Sequence, residues 1–170
     1  NFNFIDNYIL TSVEDNGTNN KSVQAYLQSG GLLTKYITNF LPQTILPYFN
    51  KTVMVFAQNL NNVELYTYNF EINYLYSFGN AYAGIFHAAI ETPDEQYLLS
   101  VGNEINVIEK VYGYSTVFAQ GKRADILKFE SLSNLLYATD SNNITIYNYP
   151  ASSINFSYNF NDKVLFIDFL

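Results

Sequence analysis

Leu135 to Tyr149 reads L-L-Y-A-T-D-S-N-N-I-T-I-Y-N-Y, two short apolar runs around a polar turn. An earlier stretch, Met54 to Tyr68, reads M-V-F-A-Q-N-L-N-N-V-E-L-Y-T-Y and aligns with it over fifteen residues without a gap. The alanine, the Asn-Asn pair and two tyrosines are identical, and five further positions exchange one apolar side chain for another of similar shape. Each stretch reads as a hairpin, and the chain is therefore built on a repeat.

Working outward, Val23, Val63, Ile105 and Ile144 take equivalent places on the third strand of successive units, spaced by 40, 42 and 39 residues. Each unit reads as four short strands separated by tight turns. The first unit has strands over 2–5, 8–13, 22–27 and 32–37, with Asn16-Gly17 in the polar turn Glu14–Lys21. In the second, Asn39–Asn50 carries two of the four prolines and predicts a connector or an edge strand around Gln43–Leu46. Thr52–Ala57 and Val63–Tyr68 form the hairpin, and Glu71–Phe78 alternates with period two until Gly79-Asn80 ends it. Gly84–Glu91 suits a short helix or an innermost strand, and the repeat decides for strand. Tyr97–Val101, Ile105–Val111 and Ser115–Ala119 complete the third unit. Asp125–Phe129, Leu135–Thr139, Asn143–Tyr149 and Ile154–Phe160 make the fourth, and Ser131-Leu132-Ser133-Asn134 takes the place of Pro93-Asp94-Glu95-Gln96. Val164–Phe169 opens another unit.

Four antiparallel strands per forty-residue unit is the pattern of a β-propeller blade, in which stacking covers both faces of each sheet. The reading is an all-β propeller with about four blades visible, at 1–38, 41–78, 84–119 and 124–160, and 163–170 as the first strand of a further blade. These belong to one domain, part of a six- to eight-bladed propeller. Thr92-Pro93-Asp94-Glu95-Gln96-Tyr97-Leu98-Leu99-Ser100 resembles the first turn of WD40-like and YVTN-type propeller repeats, S-P-D-G-K-Y-L, with Glu95 in place of the usual glycine. The Trp-Asp and Gly-His dipeptides of strict WD40 repeats are absent.

Composition agrees with strands. The chain has 16 Tyr, 14 Phe and no Trp, and aromatic and β-branched side chains suit a pleated, half-buried surface. A net charge of −7, with Lys122-Arg123 as the basic pair, argues against nucleic acid and against an anionic membrane surface. No apolar run is long enough to span a bilayer as a helix. Without cysteine there is neither a disulfide nor a thiolate metal site in these residues. High Asn with few Lys suggests an AT-rich genome such as a protist's and a protein outside the cytosol.

Five N-x-S/T acceptors point the same way: Asn16, Asn20, Asn50, Asn143 and Asn155. His87, the single histidine, sits on an inner strand where a general base could face a channel, but ordinary hydrogen bonding explains it better. Glu91, Asp125, Glu130 and Asp168 lie near first strands, where propeller glycosidases carry their acids; solvated loop charge is the simpler reading. Asp140-Ser141-Asn142-Asn143 offers oxygen ligands of the calcium type without an EF-hand pattern. Tyr66, Tyr68, Tyr74, Tyr76, Tyr147 and Tyr149 could form an aromatic contact surface, or pack between blades with hydroxyls at the rim. No catalytic, cofactor or metal signature stands out. The sequence thus reads as a non-enzymatic interaction module, a subunit of an extracellular or surface assembly whose partners are other protein subunits. The rivals are a cytoplasmic or ciliary WD40-type scaffold and a propeller enzyme acting on glycans.

Overall fold

The computed structural model describes residues 2–5, 8–15 and 20–169. They form sixteen β-strands and, among the described residues, no helix. Strands β1 (Phe2–Ile5), β2 (Tyr8–Asp15), β3 (Asn20–Leu27) and β4 (Leu32–Thr38) make the first sheet; β5 (Leu41–Pro47), β6 (Thr52–Asn59), β7 (Asn62–Asn69) and β8 (Tyr74–Ala83) make the second. The third has β9 (Phe86–Glu91), β10 (Gln96–Val101), β11 (Glu104–Glu109) and β12 (Ser115–Gln120), and the fourth β13 (Ile126–Glu130), β14 (Leu135–Asp140), β15 (Asn143–Asn148) and β16 (Ser153–Asn159). Each sheet is a meander in which neighbours in sequence are neighbours in space.

The chain divides into two compact units, 1–86 and 87–170. Each is a pair of sheets packed face to face. In the first unit Leu10, Val23 and Ala25 of the first sheet meet Ile45, Val53, Val55, Ala57, Tyr68 and Phe70 of the second or the turn after it. In the second unit Leu98, Ile105, Phe118 and Ala119 meet Leu127, Leu136, Ala138, Tyr147 and Tyr149. Full burial of one such aliphatic or aromatic side chain contributes about 1.5–3 kcal/mol, so these two clusters hold the pairs together.

Register makes the repeat physical. Val23, Ile105 and Ile144 face Ser12, Ser100 and Thr139 on the second strand, and Ala25, Val107 and Ile146 face Leu10, Leu98 and Tyr137. We call the face carrying these residues the leading face of its sheet and the opposite one the trailing face. In both units the leading face of the earlier sheet packs on the trailing face of the later one.

Local chemistry sets the turns. The hairpins between second and third strands close through Leu60-Asn61, Gly102-Asn103 and Ser141-Asn142, and the first residue of each pair has positive φ. The repeated Asn-Asn pair therefore straddles the turn and the following strand, and the left-handed residue is the one before it. In the turn after the first strand, Glu95 has φ +58° and Asn134 φ +53°. Asn134 thus corresponds to Glu95, so Ser131-Leu132-Ser133-Asn134 matches Thr92-Pro93-Asp94-Glu95, one residue earlier than the sequence alignment placed it. Glu95 occupies a left-handed position that a glycine would take without steric cost. The expected turn at Asn16-Gly17 lies outside the described residues.

Two further boundaries differ from expectation. β8 runs Tyr74–Ala83 rather than Glu71–Phe78. The Asn69 side chain accepts the backbone N–H groups of Glu71 (3.0 Å) and Ile72 (3.2 Å), which fixes that stretch as a turn. Gly79, at φ +85°, then carries a bulge through which the strand continues. β5 accommodates both prolines because it pairs with β6 alone and bulges at Gln43.

The pairing of third with fourth strand carries a register shift in every sheet, at Ala25/Tyr26, Glu64/Tyr66, Ile105/Asn106 and Ile146/Tyr147. Such bulges bend an outer strand and discourage edge-to-edge pairing. Val164–Phe169, expected to open another unit, forms no ladder among the described residues, since a strand needs a neighbouring strand to bond. It lies against the fourth sheet, with the Phe169 ring 4.9 Å from that of Tyr137.

Candidate functional site

The densest polar cluster gathers around Asp125 in the second unit. The connection from β12 to β13 folds back on the preceding hairpin: Lys122 N–H donates to the Asn103 carbonyl (2.8 Å) and Ala124 N–H to Ser100 Oγ (2.8 Å). Asp125 N–H then donates to the Thr139 carbonyl. This path places Arg123 between two carboxylates, 3.2 Å from both Asp125 and Asp140. Asp125 also accepts the Ser141 N–H at 3.3 Å. His87 Nδ1 lies 3.6 Å from Asp125 Oδ1, beyond good hydrogen-bond distance, and the imidazole bonds the Gly102 backbone. Burial, reinforced by the Arg123 charge, holds the His87 pKa below its ordinary value, which makes the neutral ring dominant at pH 7. The cluster ties the start of one sheet to the hairpin tips of two. Asp140, considered above as an oxygen ligand for calcium, spends its charge on Arg123.

The other acids have structural partners too. Glu91 pairs at 2.5 Å with Lys110, a buried lysine whose ammonium also sits 5.6 Å from the Tyr97 ring. Glu130 accepts the Ser133 hydroxyl and the Leu132 and Ser133 N–H groups (2.8 and 2.9 Å), and the hydroxyl bond first, then the backbone bonds, hold its pKa below its ordinary value. Asp168 bonds Lys128 at 2.9 Å, and that contact lowers its pKa. Among the described residues no three His, Cys, Asp or Glu side chains converge as metal ligands would.

The tyrosines divide. Tyr68, Tyr147 and Tyr149 on or just after third strands are buried, and burial raises their pKa values. Tyr68 OH donates to Asn73 Oδ1 at 2.8 Å and its ring lies 5.9 Å from that of Tyr36 on the facing sheet. Its counterpart Tyr149 reaches Asp94 in the turn between β9 and β10, 3.1 Å from both carboxylate oxygens. Burial and a hydrogen bond to Glu64 push Tyr66 up to about 12. Tyr74 and Tyr76 on β8, by contrast, face solvent, as do Ile154, Phe156 and Tyr158 on β16.

Of the glycan acceptors, Asn20 begins β3, Asn50 sits in a turn with φ +36°, and Asn155 is the extra residue of the β16 bulge; all three are exposed. Asn143 is half-buried and lines a cavity of about 190 Å³ with Arg123 and Asp140. Asn16 lies outside the described residues. Sequence reading missed the Lys110–Glu91 pair, the two-carboxylate seat of Arg123 and the cross-sheet reach of Tyr149. The last had a signal, the identity of Tyr68 and Tyr149 in the repeat.

No protein-family model matches the chain, and no curated protein matches it. Solved structures do. A nidogen/laminin complex gives a TM-score of 0.67 at 11% identity over 90% of this chain and 59% of that one. The AfRom2 CNH domain gives 0.65 at 8% over 92% and 52%. The extracellular domain of BT4673 from B. thetaiotaomicron gives 0.64 at 16% over 91% and 21%. At such identities the likeness is one of fold, and the nidogen propeller makes that fold β-propeller-like. The chain spans little more than half the length of the longest-matched of these neighbours.

Proposed function

We propose that this chain is a non-enzymatic protein-interaction module, part of a larger β-propeller within an extracellular or cell-surface assembly. The observation that carries the reading is the outer strands. β8 turns Tyr74 and Tyr76, their rings 4.4 Å apart, to solvent, as β16 turns Ile154, and exposed aromatic side chains suit protein contact. The acids that a hydrolytic reading would use are engaged in ion pairs or turn caps. One fold neighbour is a complex of two proteins and another an extracellular domain.

Compartment and partner class are tested together by mass spectrometry of the protein from its own source, before and after enzymatic removal of N-glycans. The expected result is loss of glycan mass at Asn20, Asn50 or Asn155, and co-purification with a stoichiometric protein partner. A protein unmodified at every acceptor contradicts the extracellular placement and favours the intracellular scaffold.

A further inference from the structure

Two places related by the repeat are finished differently. The fifteen-residue alignment puts Asn59, Glu64 and Tyr66 of the second sheet where Asp140, Thr145 and Tyr147 stand in the fourth. In the second sheet the three close on one another. Glu64 accepts the Tyr66 hydroxyl, and Asn59 Nδ2 donates to the same carboxylate at 3.0 Å. In the fourth sheet threonine replaces the glutamate, and that closure is gone. The Thr145 hydroxyl stands 3.5 Å from Ser157 Oγ, longer than a good O–H···O bond, with the Tyr147 hydroxyl beside it. Asp140 turns to Arg123 instead, at 3.2 Å.

The open place borders a cavity. Asn143, Thr145 and Tyr147 alternate along β15 and so share the trailing face of the fourth sheet. Ala138 and Ser157 flank Thr145 on the neighbouring strands, and Ala138 fills little space. Lys122 and Arg123, on the connection after β12, form the other wall. The cavity between them is about 190 Å³. At the ~30 Å³ that each water takes up in the liquid, it has room for about six waters. It is smaller than the roughly 300 Å³ at which sites for drug-sized ligands begin. One six-membered ring with its substituents matches that room.

The lining narrows the chemistry of the occupant. Lys122 is exposed and, among the described residues, makes no ion pair. The Asn143 side chain has no hydrogen-bond partner there either. Asp140 holds Arg123 through one oxygen and keeps the other for a second donor. The Thr145 and Ser157 hydroxyls both donate and accept, so the cavity offers unspent groups of both kinds. Its formal charges cancel, Lys122 and Arg123 against Asp140 and the Asp125 that also pairs with Arg123. An anion therefore gains no net attraction. The matching ligand is uncharged, has one ring and carries several hydroxyls.

We infer that this cavity binds a single neutral sugar residue from outside the chain. Asp140 accepts from its hydroxyls, Lys122 donates to them, and Asn143 does both. Thr145 and Ser157 complete the hydrogen bonds that the second sheet satisfies internally through Glu64. Tyr147, buried and braced by the Phe118 ring 5.4 Å away, closes the far end.

The test is an amide-resolved NMR titration of the full chain, made without glycosylation, with the methyl glycosides of mannose, galactose, glucose and N-acetylglucosamine. At least one should shift the Asn143, Thr145 and Ser157 amides saturably, with half-saturation at about 1–10 mM. Lys122→Met, at an exposed residue with no ion pair, should weaken that binding about tenfold and leave the thermal midpoint in place. Thr145→Glu installs the glutamate of the second sheet and should abolish the shifts. Tyr112→Ala, in an exposed turn outside the cavity, should leave them unchanged. If Thr145→Glu fails to fold, Lys122→Met decides. The inference is wrong if no glycoside moves these amides, or if Lys122→Met or a folded Thr145→Glu binds as the parent does. It is equally wrong if acetate or inorganic phosphate saturates the same amides at lower concentration, because the site then selects anions. A glycan carried on Asn143 itself would also overturn it, since the cavity would then serve the chain's own sugar. The titration needs neither the proposed compartment nor a protein partner, so failure here and failure of the functional reading are distinguishable.

Discussion

The leading faces of the third and fourth sheets carry nearly the same side chains in the same register but stand in different surroundings. Leu98, Ser100, Ile105 and Val107 lie under a following sheet, and the Ser100 hydroxyl accepts the Ala124 N–H of the connection above them. Tyr137, Thr139, Ile144 and Ile146 have only a tail across them, and the buried Thr139 hydroxyl has no hydrogen-bond partner. The residues alone do not decide burial in a repeat of this kind. The neighbour does, because each sheet supplies half of the next interface.

That comparison is sharpened most by paired truncations. Leu98→Ala should destabilise by about 2–5 kcal/mol, because it removes packed apolar volume and leaves a cavity. Phe156→Ser, on the uncovered face, should stay within about 0.5 kcal/mol, as surface changes do. Urea midpoints measure both, and equal losses would break the comparison.

Tyr149→Phe comes next. It deletes the hydroxyl that reaches Asp94 across the covered interface, and a hydrogen bond to a charged group contributes about 1.5–3 kcal/mol. The loss should sit toward the low end, since Asp94 retains its Thr92 contact. No change in the urea midpoint would mean that the bond is idle in solution.

A pH titration probes the cluster beneath the same interface. The unfolded His87 imidazole binds a proton near the ordinary value of 6.5, and the folded one, desolvated and near Arg123, resists it. Below about pH 6.5 the unfolded state holds more protons, so His87's contribution to stability is intact above that value and is lost as pH falls through the lowered folded pKa. Asp125, Asp140 and the Gly102 backbone oppose the shift, and His87→Gln should flatten the pH dependence between pH 7 and 5.5. A variant with an unchanged slope would remove His87 from the account.

The smallest effects lie at turn tips. Leu60 is 88% exposed with φ +53°, and Glu95 has φ +58°. Leu60→Gly and Glu95→Gly should each raise stability by about 0.5–1 kcal/mol, since relief of the left-handed strain slightly outweighs the added chain entropy. A lowered thermal midpoint in both would contradict that assignment.

Much of this fold was legible in the sequence because a repeat is evidence about itself. The match between Met54–Tyr68 and Leu135–Tyr149 located two hairpins, and Val23, Val63, Ile105 and Ile144 do lie on the third strands. Legibility failed where tertiary chemistry overrides pattern. Period two ran through Glu71 and Asn73, yet the Asn69 side chain turns the backbone there. The bulges of the fourth strands leave no composition signal, and neither did the turn offset that only the φ of Asn134 reveals. Glu91 and Asp168 looked free because their partners are remote in sequence: Lys110 lies 19 residues from Glu91, and Lys128 lies 40 from Asp168.

The most direct measurement of the central claim, that a sheet of this repeat is completed by its successor, is residue-resolved hydrogen exchange on the unmodified chain. The amides of Ile105 and Val107 on β11 belong to residues of a covered leading face, and those of Ile144 and Ile146 on β15 to residues of an uncovered one. We expect the β15 amides to exchange faster by about 10- to 100-fold, because their sheet opens at lower free energy. Equal protection on the two strands, or slower exchange on β15, would contradict it.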